Sequence, residues 1–160
     1  MDLSTTVSSP KLDLIQATWT HIAERYLKRI ENNRILIGRI RAVRLLAVHD
    51  AIHSVIDPGN GHIYKEISEG STTEAAYAAA VKASHDVLAS VFTDPHDRED
   101  LADYLEESLS LIGKEDEKEA GVISGAEAAA SYIRNFALLI VNRGASSRSR
   151  YQQQREIAVA

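Results

Sequence analysis

Residues 35–56, ILIGRIRAVRLLAVHDAIHSVI, carry apolar side chains around the whole circumference when set at about 100° per residue. A helix of that kind hides among other helices, so this stretch is expected to form the buried centre of the chain. Its few polar positions are then informative, because polar groups on a buried helix need partners. Arg39, His49, Asp50 and His53 fall within one sector of about 100°, whereas Arg34, Arg41 and Arg44 point elsewhere.

With 160 residues, 44% of them hydrophobic, the chain suffices for one globular domain with a proper core. It has no cysteine, which excludes disulfides, thiolate metal sites and cysteine nucleophiles. The opening MDLSTTVSSPK lacks a basic segment followed by an apolar run, so no secretory signal is expected. Arginines and Asp50 interrupt the longest apolar stretch, which argues against a membrane span; a soluble, cytoplasmic protein is the expectation. The net charge of −5 is unevenly spread. Residues 1–56 hold eight Lys/Arg against five Asp/Glu, residues 57–127 five against seventeen, and residues 128–160 five against one. An acidic middle between basic ends favours contacts within the chain or between copies, and it argues against a nucleic-acid groove, which needs one continuous basic face.

Punctuation divides the chain into helices. Ser9-Pro10 opens an amphipathic helix running to about Glu31, with Leu14, Ala17, Ile22, Leu27 and Ile30 on its apolar side and Trp19 as anchor. Asn32-Asn33 breaks it ahead of the central helix. Residues 57–71, DPGNGHIYKEISEGS, read as a long loop that follows the polar sector directly, so His62 and Tyr64 are placed to fold over it. Ser71-Thr-Thr-Glu74 fits a capping box and opens a third helix in which Tyr77, Val81, His85, Leu88 and Phe92 recur at three and four. Five alanines between Ala75 and Ala80 leave room for a close neighbour or a cavity. Asp94-Pro95 starts a fourth helix with Leu101, Tyr104, Leu105, Leu109 and Ile112 as its apolar face. After Gly113 a fifth helix places Ile123, Ala126, Ala130, Ile133, Ala137 and Ile140 in a three-four seam, and Gly121 and Gly125 allow close backbone approach. The expected fold is thus all-α: a bundle of about five helices over residues 1–143, with residues 144–160 a flexible basic tail.

The order of these features, a Trp in helix one, LLAVHDAIHSV, a loop with a Tyr, EAAYAAAVKASHDVLASVF, DLADYLEESLSLI and GVISGAEAAASYI, resembles the N-terminal helical half of vanadium-dependent haloperoxidases and their phosphatase relatives. The resemblance spans residues 12–143 and rests most on Asp50-Ala51 and on His85 to Leu88. It implies a free-standing half-bundle. The family's oxyanion-holding Lys, Arg and Ser-Gly-His segment lies in its other half and has no counterpart here: Ser124-Gly125 is followed by Ala126.

Several candidates for chemistry follow. Asp50 and His85 lie on core-facing stripes of neighbouring helices and are expected to meet, either as a general acid/base pair or as a tie between helices. His49 and His53, four apart on one face, have the spacing of two metal ligands, but the spacing fixes no third ligand, so neither a metal nor a cofactor is expected. Arg39, Tyr64 and Tyr77 are the candidate substrate-binding residues, and Arg41 and Arg44 are expected to pair with the acidic middle segment. Two functions fit. One is cofactor-independent acid/base chemistry, of cyclisation or isomerisation type, on a largely apolar organic molecule, with Asp50, His49, His53 and His85 as catalytic residues. The other is a non-catalytic module that self-associates or completes a partner. A homodimer is expected, because residues 136–141, FALLIV, exceed what one buried stripe needs.

Overall fold

A computed structural model of the chain describes residues 10–137 and has five helices: α1 Pro10–Leu27, α2 Arg34–Ile56, α3 Thr73–Val91, α4 Pro95–Ser110 and α5 Glu115–Tyr132. A π-helical turn, Ile133–Ala137, continues α5, and there is no strand among the described residues. No helix among them is long and apolar enough to cross a membrane. The basic tail and residues 138–141 of the apolar run lie outside the described residues.

Local chemistry starts these helices where the punctuation does, although α1 ends at Leu27, four residues short of the expected Glu31. The Asn33 side chain accepts from Leu36 N–H at 3.0 Å, and Asp94 Oδ1 from His96 N–H at 2.9 Å, each satisfying an orphan donor of the first turn. Asn32 (φ 56°) and Lys114 (φ 55°) take the left-handed conformation that breaks the helical path. α3 differs from expectation at its cap. Thr72 rather than Ser71 is the N-cap, and the reciprocal carboxylate is Glu117 of α5, not Glu74. Glu117 Oε2 accepts from Ser71 N–H (2.9 Å), Thr72 N–H (3.0 Å) and Thr72 Oγ1 (2.8 Å).

The central place belongs to α3, which packs against all four other helices. α2, expected at the centre, lies to one side, with Ile35 70% and Leu45 51% exposed. The reason is side-chain size. Beyond Glu74 every α3 residue is at least half-buried, and its alanines let neighbours close in. A Cβ on Gly121 would stand 2.1 Å from the Ala75 carbonyl oxygen, and one on Gly125 2.4 Å from that of Ala79, so α5 lies on α3 almost backbone to backbone. That contact also turns α5. Its buried side is Gly121, Ser124, Gly125, Ala128, Ala129 and Tyr132, one position off the expected seam, and Ile123 is left 51% exposed. In α1 the buried stripe is Leu12, Ile15, Trp19, Ile22 and Tyr26, whereas Leu14 and Ala17 face out. The α4 face is as expected: Leu101 and Ile112 are buried and Tyr104, Leu105 and Leu109 pack against them.

Candidate functional site

Asp50 is the organising residue. It sits in the last two turns of α2 with no exposed surface, and the loop that follows wraps back over it. Oδ1 accepts from the His62 amide at 2.9 Å and faces His49 Nδ1 at 3.0 Å. Oδ2 accepts from the amides of Ile63 (2.9 Å) and Tyr64 (3.0 Å) and from the Tyr132 hydroxyl (2.7 Å). Three successive loop amides are thereby satisfied by one carboxylate. Burial pushes the Asp50 carboxyl up, but the amides of His62 and Ile63, with His49 and Tyr132, outweigh it and hold the pKa down at about 2. Burial and then the Asp50 charge raise the Tyr132 hydroxyl well above its ordinary value, so it stays a donor.

A second set of bonds secures the rest of the loop. Tyr64, itself buried, donates to Glu127 Oε2 at 2.5 Å, and burial followed by that carboxylate raises its pKa strongly. Ser124 Oγ donates to Ser68 Oγ at 2.8 Å, and the Ser68 amide donates to the Ser54 carbonyl at 2.9 Å. The loop is thus bound to both α2 and α5.

Over Asp50 lies a stack of three imidazoles. His49 packs face to face on His53, with centroids 4.0 Å apart, and on His62, 4.9 Å apart, both at 29°. His53 Nδ1 is buried without a hydrogen-bond partner; the nearest carboxylate oxygen, of Asp57, is 3.6 Å away. One ligating atom from each of His49, Asp50 and His62 lies within 4.8 Å of the others.

The expected pairing of Asp50 with His85 does not occur. His85 Nδ1 faces Asp86 Oδ1 at 2.7 Å, Lys82 reaches the same oxygen at 2.9 Å, and the imidazole meets Trp19 edge-on at 6.4 Å. Burial raises the Asp86 carboxyl, but His85 and Lys82 lower it on balance. Helix rotation explains the miss: His85 faces the α1 side of α3, and Asp50 faces the loop and α5. Arg39 is exposed and makes no hydrogen bond or ion pair among the described residues; eleven residues before Asp50, it is about 16 Å away along the axis. Tyr77 is buried on α3 with Lys11 Nζ 5.7 Å from its ring centre, apart from the histidines. The other arginines also depart from expectation. Arg41 binds Glu24 of α1 through two bonds of 2.8 and 2.9 Å. Arg44 is 4% exposed and reaches only hydroxyls, Ser84 at 3.3 Å and Thr20 at 3.1 Å, with Nε unpartnered and its pKa lowered by burial.

Of the residues expected to act together, the structure therefore gathers His49, Asp50, His53 and Tyr64. Sequence reasoning missed Tyr132, Glu127 and Ser124; it placed His62 over the polar sector, as found, without giving it a role there. A lone carboxylate on an apolar helix, just ahead of a loop full of unpaired amides, was the available signal. Among the described residues, open grooves lie elsewhere, including one of about 620 Å³ between α1 and α4, lined by His21, Arg25, Tyr104 and Ser108, and one of about 410 Å³ lined by α4 and Lys118. Neither includes a residue of the histidine cluster. No family model, curated protein or solved structure matches this chain.

Proposed function

We propose that the protein is a non-catalytic helical module that pairs with a second copy of itself through the outward face of α5. The carrying observation is the apolar side that α5 turns away from α3: Ile123, 51% exposed, Ala130 and Phe136, 37% exposed, with Ala126 and Ile133 partly covered beside them. Ile67 of the loop, 73% exposed, is a further large apolar side chain left uncovered. Charge selects the occupant. α5 opens with Glu115, Asp116, Glu117 and Glu119, and Arg134 lies near the other end of the stripe. An antiparallel two-fold contact brings Arg134 of each copy toward the acidic turns of the other, reusing one patch twice. The likeness to one helical half of the haloperoxidases supports the reading, since it implies a half-bundle. Asp50 supports it as well, because a carboxylate occupied by five partners serves the loop and is unsuited to taking a substrate proton.

Light scattering across a dilution series tests the proposal. A dimeric mass is expected, weakening with salt and lost in Ile123→Glu without change of helicity, since Ile123 is outside the core. A monomeric mass at roughly tens of micromolar protein refutes it.

One observation favours acid/base chemistry on a largely apolar small molecule instead. Asp50 holds His49 by Nδ1, leaving the other ring nitrogen without a hydrogen bond on a side chain 39% exposed. His49→Gln separates the readings: it leaves self-association untouched and abolishes any turnover.

A further inference from the structure

We infer that His49, Asp50 and His62 form a binding site for a divalent first-row transition metal, zinc being the natural probe. The spacing of His49 and His53 gives two imidazoles and no third ligand. The fold supplies the third from the loop. His62 comes over the end of α2 because its own amide, with those of Ile63 and Tyr64, is bound by Asp50. Its ring then lies on that of His49, and one ligating atom from each of the three residues falls within 4.8 Å of the others.

The donor set is two imidazoles and a carboxylate, the set that holds zinc or iron at three protein ligands with water completing the shell. Metal–ligand bonds of about 2.0–2.2 Å require donor atoms about 3–4 Å apart. His49 Nδ1 and Asp50 Oδ1, 3.0 Å apart, already meet that requirement. The remaining contraction falls on the His62 ring, which is exposed on the loop and has to swing out of its stack on His49 to aim a ring nitrogen at the ion. Asp50 loses little by the exchange. The ion takes the place of the proton now between His49 and Oδ1, and the bonds from the His62, Ile63 and Tyr64 amides and from Tyr132 remain to orient the carboxylate. His53, stacked on the other side of His49, fixes the plane of that ring. Because the loop is already secured without an ion, metal is not needed for folding. It would tighten residues 57–71 onto α2, beside the α5 face proposed for self-association.

The test uses the full chain stripped with a chelator and titrated with zinc chloride by calorimetry, with melting followed through Trp19. One zinc per chain and a rise in melting temperature reversed by chelator are expected. His62→Ala should weaken binding by roughly tenfold or more. It keeps the fold, since only the backbone amide of His62 serves Asp50. His96→Ala, on α4 with its side chain 82% exposed, should bind as the parent does. No heat and no shift at about a hundred micromolar zinc overturns the inference, as does binding that survives His62→Ala unchanged or is lost in His96→Ala.

Discussion

Replacing Asp50 by Asn is nearly isosteric, so its cost comes from hydrogen bonding rather than from a cavity. An amide has one accepting oxygen. Set toward the Oδ2 position, that oxygen keeps the Ile63 and Tyr64 amides and the Tyr132 hydroxyl, but the NH2 group then confronts the His62 amide, donor against donor. One unsatisfied amide costs about 1–3 kcal/mol, and three bonds that lose charge assistance add about 1 kcal/mol each, so the loss is about 4–6 kcal/mol. That is a large share of the roughly 5–15 kcal/mol available to a domain. Linkage gives an independent figure. The Asp50 pKa is 3.8 by reference and about 2 in the fold, which at 1.36 kcal/mol per unit is about 2.5 kcal/mol. The folded value is depressed, so this contribution is fully present above pH 4 and lost as pH falls from about 4 to about 2. Urea unfolding followed through the buried Trp19, run from neutral pH down to acid, measures both. Asp50→Asn should lower stability at pH 7 and flatten its acid dependence. In hydrogen exchange, the amides of residues 62–64 should lose protection before those of α3. A variant within about 1 kcal/mol of the parent, or one with the parent's slope below pH 4, refutes the role given to Asp50.

Gly121→Ala forces a Cβ against the Ala75 carbonyl at 2.1 Å and should cost about 3 kcal/mol by calorimetric melting, whereas Gly38→Ala, in the interior of α2 with nothing within 4 Å, should gain about 0.5–1 kcal/mol. Equal effects at the two glycines would show that α3 and α5 are not in close contact. Arg44→Met removes a buried cation that is hydrogen-bonded to hydroxyls only and feels Glu24 through its charge alone, and denaturant titration should find it neutral or stabilising; a loss above about 3 kcal/mol would mean that a paired charge had been broken.

Helix count and helix starts were legible because each depends on residues adjacent in sequence: Pro10, Asn33, Asp94 and the break at Gly113-Lys114 act within one turn of themselves. The loop's return over the polar sector was legible for a related reason, since a long connector leaving the end of α2 has that surface directly beneath it. Partners were not. Asp50 is satisfied mainly by backbone amides, which carry no sign in the sequence, and His85 turned to Asp86, one residue away, instead of Asp50 on another helix. A carboxylate and an imidazole on core-facing stripes do not reveal which helix each stripe faces.

The same ambiguity decided α5, and there it bears on function. Two stripes compete on that helix: one of larger apolar side chains, Ile123, Ala126, Ala130 and Ile133, and one of small residues, Gly121, Ser124, Gly125, Ala128 and Ala129. Hydrophobicity alone favours burying the first. The small stripe wins because its partner is the alanine run of α3: two smooth surfaces approach until backbone meets backbone, and every atom along the contact gains dispersion at a distance that isoleucines would forbid. Burying the isoleucine face against Ala75–Ala80 would hold the helices apart and leave the Asp50–Tyr132 bond out of reach, since Tyr132 lies on the small-residue side. The loop is therefore fastened to Asp50 at the expense of exposing Ile123, while Ile133 still packs partly against the core. The bond that orders the loop and the exposure of Ile123 follow from the same rotation of α5, and the proposed second copy would cover that face.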